Sequence, residues 1–317
     1  MLIIGDPHFK IDKINYIGKL FDWINDIVNT EEISKIVFLG DMFHTHSILR
    51  SEILSLVYQK ITELAFKKPV ICLVGNHDYN SANNPTSHSL ETFKHINNVT
   101  IVDIPIVIED DLYIPYIHSS DKFLQIIAEF SFSRIFCHQL FKGANMGFIK
   151  SEDGVDVNEI KFPTYSGHIH RSQRLGSVYY IGTPYSLDGN DDSDEKSVII
   201  LKNNNIKEII SPFISIKKLT VPANELIQTL KNLPQNLQFI IMIEGSAQEL
   251  NTITNQEEFK KIKTENIIIK RKSLQINSSI DFHQQYSLEF TIEQYIYNSK
   301  TNLDKSKLLK KVLEYLN

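Results

Sequence analysis

The strongly apolar runs of this chain are short, and several break off at a glycine followed by a polar cluster. LIIGD at the start, IVFLGD at 36–41 and PVICLVGNHD at 69–78 read as strands. Between the first two, Ile14, Ile17, Leu20, Phe21, Ile24, Ile27 and Val28 recur at three- and four-residue spacing, which predicts an amphipathic helix. A second such helix is expected from about Ile48 to Ala65. Uniformly apolar strands alternating with helices imply a sheet covered on both faces. Loops at the strand ends carry the chemistry of such sheets, so GDPH, GDMFH and GNHD should converge. RIFCHQ (134–139) adds a strand ending at His138, and FPTYSGHIH (162–170) one ending at His168 and His170.

Beyond these, 177–213 reads as β-rich closure interrupted by an acidic, Gly/Asn-rich solvated turn at 188–195. The character changes near 212–220. A helix (ANELIQTLKNL), a strand (FIIMIEG), a helix-like stretch and a strand (NIIIKRK) then make a small α+β module. The last sixteen residues, NLDKSKLLKKVLEYLN, predict a basic amphipathic helix. Leu308, Leu309, Val312, Leu313 and Leu316 form its apolar stripe, and Thr301 with Asp304 its capping pair.

Composition narrows the picture in three ways. With 317 residues and 42% hydrophobic content the chain can bury a large core, with room for a catalytic domain and a smaller one. A net charge of −5 argues against a protein that holds nucleic acid by electrostatics alone. Cys72 and Cys137 both lie in apolar runs, as small core side chains of a reducing compartment would. No basic-then-apolar leader and no membrane-length apolar run is read, so a cytoplasmic location is expected, the host cytoplasm if the source is viral.

Ten of the eleven histidines occur by residue 170, which places any imidazole chemistry in the first part of the chain. Asp6, His8, Asp41, Asn76, His138, His168 and His170 are too many nitrogen and oxygen ligands for one zinc but suit two transition metals such as Mn²⁺, Fe²⁺ or Zn²⁺. Asp41 would bridge, with Asp6, His8 and His170 on one ion and Asn76, His138 and His168 on the other. Two ions about 3.5–4 Å apart stabilise phosphoryl transfer, so phosphoester hydrolysis is the natural reaction. His77 would orient or protonate the leaving oxygen, with Asp78 fixing its tautomer. His44 could reach the substrate phosphate. His88, His95 and His118 are expected at surfaces or turns, and His46 outside the ligand set.

The ordered set DPH, GDMFH, GNHD, a lone His138 and GHIH resembles the calcineurin-like metallophosphoesterase superfamily over about residues 1–205. GDMFH is similar to the nuclease subunit of the double-strand-break repair complex, partner of a Rad50-like, SMC-type ATPase. YIGTPYSLDGND (180–191) resembles phage recombination-endonuclease subunits of that family. The resemblance implies an α/β four-layer sandwich, two mixed β-sheets flanked by helices, at 1–212. A small α+β capping domain that presents DNA would follow at 213–278, and a helical segment that binds the ATPase at 279–317.

The same resemblance makes the seven ligands a two-Mn²⁺ set, His77 the catalytic histidine and His44 a group that positions the scissile phosphate. It implies 3′–5′ exonuclease action on duplex DNA and endonuclease action on single strands, in DNA recombination and repair. A homodimer would form through the 48–65 helix and the Leu90–Ile96 region, and a phage or other viral source is implied. The competing expectation is a metallophosphoesterase acting on a small phosphodiester or nucleotide, with the same ligands. A scaffold role is the third.

Overall fold

The computed structural model describes residues 1–271 except 47, 82–85, 147–148, 188–194, 214–215, 234–237, 246–248, 250–251, 254, 257–258 and 260–266. The chain opens with four parallel strands: β1 (Leu2–Ile4), β2 (Ile36–Phe38), β3 (Val70–Leu73) and β4 (Val99–Val102). Helix α1 (Ile14–Thr30) joins the first pair and α2 (Ser51–Ala65) the second. Helix α2 starts three residues later than its apolar pattern, because Arg50 is still extended (φ −74°, ψ 132°).

A second sheet follows: β5 (Ile106–Ile108), β6 (Asp111–Ile114), β7 (Arg134–His138), β8 (Thr164–Gly167), β9 (Gln173–Leu175) and β10 (Val178–Tyr180), in the order β5-β6-β7-β8-β10-β9. Helix α3 (Ser120–Glu129), N-capped by the Ser119 hydroxyl on the Lys122 N–H, links β6 to β7. The chain then returns to the first sheet through β11 (Ser197–Lys202) and β12 (Asn205–Ile210), giving the order β12-β11-β1-β2-β3-β4. Both sheets are mixed, since β11 and β12 run antiparallel in one and β5 and β9 in the other.

The two-residue strand period explains why the runs are apolar throughout. Ile4, Phe38 and Cys72 pack under α1 and α2, whereas their neighbours Ile3, Val37, Leu39, Ile71 and Leu73 face the other sheet. From the second sheet, Tyr113, Phe136, Tyr165 and Tyr179 fill the space between the sheets, and Leu112, Ile114, Ile135 and Cys137 pack with Phe123 and Ile126 of α3. The layers are therefore helix, sheet, sheet, helix, as expected.

Phe213 anchors the exit from this sandwich, its ring 5.9 Å from those of Tyr16 and Trp23 and 6.1 Å from that of Tyr185. A third, smaller sheet follows, all parallel, of β13 (Ile216–Pro222), β14 (Gln238–Glu244) and β15 (Ile267–Arg271), with α4 (Leu226–Lys231) between the first two. Leu226, Leu230, Phe239, Ile241 and Ile243 make its own core. β13 was not anticipated, because IKKLTVP mixes lysines into a short run. The helix-like stretch after β14 falls largely outside the described residues, as does most of the acidic turn at 188–195. The basic terminal helix, with its Thr301–Asp304 cap, lies wholly outside them.

Candidate metal centre

The loops that leave β1, β2, β3, β7 and β8 meet at one edge, and backbone bonds stitch them together. The His8 and Phe9 N–H groups donate to the carbonyls of Asp41 and Met42 (2.9 and 2.8 Å). His8, Asp41 and His168 all hold left-handed backbone, with φ of 44°, 48° and 80°. Non-glycine residues adopt that region at a cost, and it concentrates at functional positions. Gly75 is required by close approach: a Cβ there would lie 2.2 Å from Asp41 Oδ1 and 2.3 Å from its backbone nitrogen. Gly167 is equally constrained, its Cβ falling 2.4 Å from Asp6 Oδ1.

These constraints bring all seven candidate ligands together in two groups around one carboxylate. Asp41 Oδ2 lies 3.3 Å from His8 Nε2 and 3.4 Å from His138 Nε2. On one side, His8 Nε2 is 3.0 Å from His170 Nε2. On the other, Asn76 Oδ1 is 2.9 Å from His138 Nε2 and 2.8 Å from His168 Nδ1. The His138 Nδ1–H donates to the Leu39 carbonyl at 2.7 Å, which fixes the tautomer that leaves Nε2 as a ligand atom. Asp6 Oδ1 accepts the His168 N–H at 3.1 Å, while Asp6 Oδ2 is buried with no partner among the described residues.

The charges set up by this packing are uneven. Burial raises the Asp6 carboxyl to about 7. Burial would also raise Asp41, but the His138, His8 and His77 imidazoles outweigh it and hold Asp41 well below the carboxylate range. Burial pulls the His138 imidazole down, yet Asp41 and Asp6 together hold it up at about 9. His168 is pushed down to about 3 by burial and by its neighbour His138. Burial also holds His8 well below its ordinary value.

This donor set fits a pair of divalent cations. It offers an orphaned buried carboxylate oxygen at Asp6, two imidazole nitrogens facing each other, and a carboxylate oxygen shared by both groups. Mixed imidazole, carboxylate and amide ligands are the hard-to-borderline set of two-metal hydrolases.

His77 and His44 flank the ligands. The His77 N–H donates to Asp41 Oδ1 at 2.8 Å, and its ring lies edge-on to His8 with centroids 4.8 Å apart. Asp78 does not fix the His77 tautomer as expected. Its buried carboxylate accepts the N–H groups of Gly75 (3.0 Å), Phe43 (3.1 Å) and Met42 (3.2 Å), so it ties the second and third motif loops together. The His77 ring is held instead by the His44 carbonyl, 2.8 Å from Nδ1. His44 comes through its ring as well, which stacks on His77 at 5.8 Å and 16°.

Two contributors escaped the sequence. His46 stacks on His77 as well, with ring centroids 4.5 Å apart and planes 20° from parallel. Tyr116 stacks on His168 (5.8 Å, 24°) and meets His138 edge-on (6.2 Å). The H-x-H spacing of 44–46 was a signal for His46; nothing local marks Tyr116. His88, expected at a surface or turn, lies half-buried beside Glu91 (3.0 Å) and Asp103 (3.3 Å), in a group separate from this cluster.

The segment after β10 clamps the same edge. The Tyr185 hydroxyl donates to the Pro7 carbonyl (2.6 Å), and the Thr183 N–H and Lys196 ammonium both donate to the His170 carbonyl (3.1 Å each).

A two-ion type of ligand cluster at the strand ends of this four-layer sandwich defines a metal-dependent phosphoesterase. The family model of calcineurin-like phosphoesterases matches residues 1–210, and the chain belongs to that family. It is 29% identical to the putative phosphoesterase 078R of Invertebrate iridescent virus 3 over 245 residues, 70% of this chain and 69% of that protein. It is 32% identical to the putative phosphoesterase 244L of Invertebrate iridescent virus 6 over 197 residues, 58% of this chain and 69% of that protein. Among solved structures, the nuclease MPE of Pseudomonas putida aligns at 13% identity and a TM-score of 0.33, over 65% of this chain and 86% of that one. Among the described residues, no helix is long and apolar enough to cross a membrane.

Proposed function

We propose that the chain hydrolyses phosphodiesters at a two-metal centre, with Asp6, His8, Asp41 and His170 on one side and Asp41, Asn76, His138 and His168 on the other. The observation that carries this reading is the Asp41 carboxylate, one oxygen of which faces an imidazole from each group. When bound, a pair of divalent cations neutralises charge on the phosphoryl group and lowers the pKa of water. His77, held by the His44 carbonyl and stacked with the His44 and His46 imidazoles, is placed to hand a proton to the departing oxygen. Asp78 acts through the backbone, by keeping the loops of His44 and His77 in register.

A small phosphodiester or nucleotide satisfies the family membership and the viral phosphoesterase relatives with the fewest additions. The second reading is a Mn²⁺-dependent DNA nuclease, exonucleolytic on duplex and endonucleolytic on single strands, working with an SMC-type ATPase. It is favoured by the third sheet, whose β13 and β15 carry Lys217, Lys218 and Lys270 at exposed positions. In a homodimer of that kind α2 would supply the contact, since Leu90, Phe93 and Ile96 are buried in the protein's own core.

The test is Mn²⁺-dependent hydrolysis of bis-p-nitrophenyl phosphate beside end-labelled duplex DNA, for the parent and His77→Ser. Loss of both activities in the variant supports the shared mechanism, and cleavage of the ester with DNA left intact favours the small substrate. An ester turned over equally by parent and variant removes His77 from the reaction.

A further inference from the structure

A cavity of about 440 Å³ opens beside the second ligand group, lined by its member His168 and by Tyr116, which stacks on it. The sequence gives no warning of it, because its walls come from the loop after β6, the loop after β7 and the turn around Gly154. Tyr116 stacks on His168, and both line the cavity, so its mouth is within reach of an ester arm of a phosphodiester held at the ligand cluster. The chemistry of the walls says what that arm is. Leu140 is the only aliphatic side chain among the described lining residues, which disfavours a lipid or alkyl arm. Lys142 is offset by Asp153, so the walls carry no excess of positive charge to hold a polyphosphate.

What remains is a set of directional hydrogen-bonding groups. Gln139 is only 2% exposed, and its main chain is locked by Ser166 and Tyr180: the Gln139 N–H donates to Ser166 Oγ (3.1 Å), and its carbonyl accepts from the Ser166 and Tyr180 hydroxyls (3.2 and 3.0 Å). Its carboxamide oxygen accepts the Ile117 N–H at 3.4 Å, and its NH₂ has no acceptor among the described residues. A donor held in place at a cavity wall is available to whatever enters the cavity. The Tyr116 hydroxyl, 3.4 Å from His118 Nδ1, adds a second polar group. The volume falls in the range of small-molecule sites.

The geometry points to a nucleoside subsite: this cavity takes the sugar and base of the nucleotide whose phosphate lies at the metal centre, with Gln139 and Tyr116 reading its polar atoms. The assignment rests on the phosphodiesterase reading above. It applies equally to a free nucleotide ester and to the terminal nucleotide of a strand.

Two esters with the same leaving group isolate the arm: thymidine 5′-(p-nitrophenyl phosphate) and methyl p-nitrophenyl phosphate, with the full chain loaded with Mn²⁺. Gln139→Glu keeps the acceptor for Ile117 and removes the donor; Tyr116→Phe keeps the stack on His168 and removes the hydroxyl. Each is expected to lower the preference for the thymidine ester, the ratio of the two kcat/KM values, by about tenfold. A structural effect on the centre would lower both esters together and leave the ratio fixed, which overturns the proposal. Saturation-transfer NMR with thymidine itself, which carries no phosphate, reads the subsite without turnover. Parent binding weakened in both variants supports it even if neither ester is hydrolysed, in which case the phosphodiesterase reading fails alone; equal binding or no binding overturns it. A parallel loss on a thymidine dinucleotide and on a duplex end assigns the cavity to both sources, and a loss on the dinucleotide alone assigns it to the free nucleotide.

Discussion

His46 lies against His77 with ring centroids 4.5 Å apart and planes 20° from parallel, although neither residue belongs to the two ligand groups. The His46 Nδ1 faces the Tyr79 carbonyl at 3.3 Å, so its ring is itself held. The pair keeps His77 in the plane that the His44 carbonyl selects. A catalytic group displaced by about 1 Å can cost up to about 10²-fold in rate.

Replacing His46 by alanine is therefore expected to lower kcat by about tenfold with little change in KM. Steady-state kinetics on bis-p-nitrophenyl phosphate, together with the metal stoichiometry of the variant, check this. A variant with normal kcat would show that the stack carries no positional load.

Asp78 is expected to matter through stability before chemistry. Its carboxylate satisfies the N–H groups of Met42, Phe43 and Gly75, which are otherwise buried donors. Truncation to alanine orphans them, at a cost of about 1–3 kcal/mol for each donor that finds no water. Urea unfolding of Asp78→Ala should show a midpoint well below the parent, and Asp78→Asn, which keeps one acceptor oxygen, should fall between the two.

How much of this centre could be read from the chain depended on what kind of interaction places each residue. Strands β1, β2, β3, β7 and β8 and helices α1 and α2 follow from the apolar pattern, because their side chains have two covered faces or one, whereas β4, β5, β6 and α3 were not anticipated. The seven candidate ligands could be singled out because a strand end marks each cluster and a glycine marks all but that of His138, and Gly75 and Gly167 mark places where main chain and candidate ligand touch. Asp78 was misread because adjacency in sequence says nothing about direction: His77 faces the site, while Asp78 faces back toward the 42–43 main chain. Tyr116 and the 183–185 clamp reach the centre only by tertiary packing, from loops with no periodicity of their own. The third sheet was half legible, since β13 pairs in parallel with β14 across an intervening helix, a relation that lysine-rich IKKLTVP does not announce.

Gly75→Ala tests the close approach directly. The added Cβ would fall 2.2 Å from Asp41 Oδ1, so the shared carboxylate has to move. Equilibrium dialysis should show Mn²⁺ affinity reduced by more than about tenfold, with overpacking strain of about 1–3 kcal/mol in stability. Unaltered metal affinity would mean that Asp41 is not the shared ligand.

Metal uptake should be coupled to proton release, with a sign fixed by two residues. In the metal-free protein, burial raises Asp6 to about 7, and the neighbouring carboxylates overcome burial to hold His138 up at about 9. Each can ligate a cation only after losing its proton. At pH 7, His138 is mostly protonated and Asp6 about half so; binding of both cations therefore displaces roughly one to two protons. Apparent affinity should rise most steeply with pH below about 7, more gently between about 7 and 9, and flatten above about 9. His168, held at about 3, is already neutral over this range and contributes nothing to the slope. Calorimetric titration of Mn²⁺ in two buffers of different ionisation enthalpy counts the protons. A heat independent of buffer at pH 7 would show that neither Asp6 nor His138 loses a proton on binding, and would remove both from the ligand set.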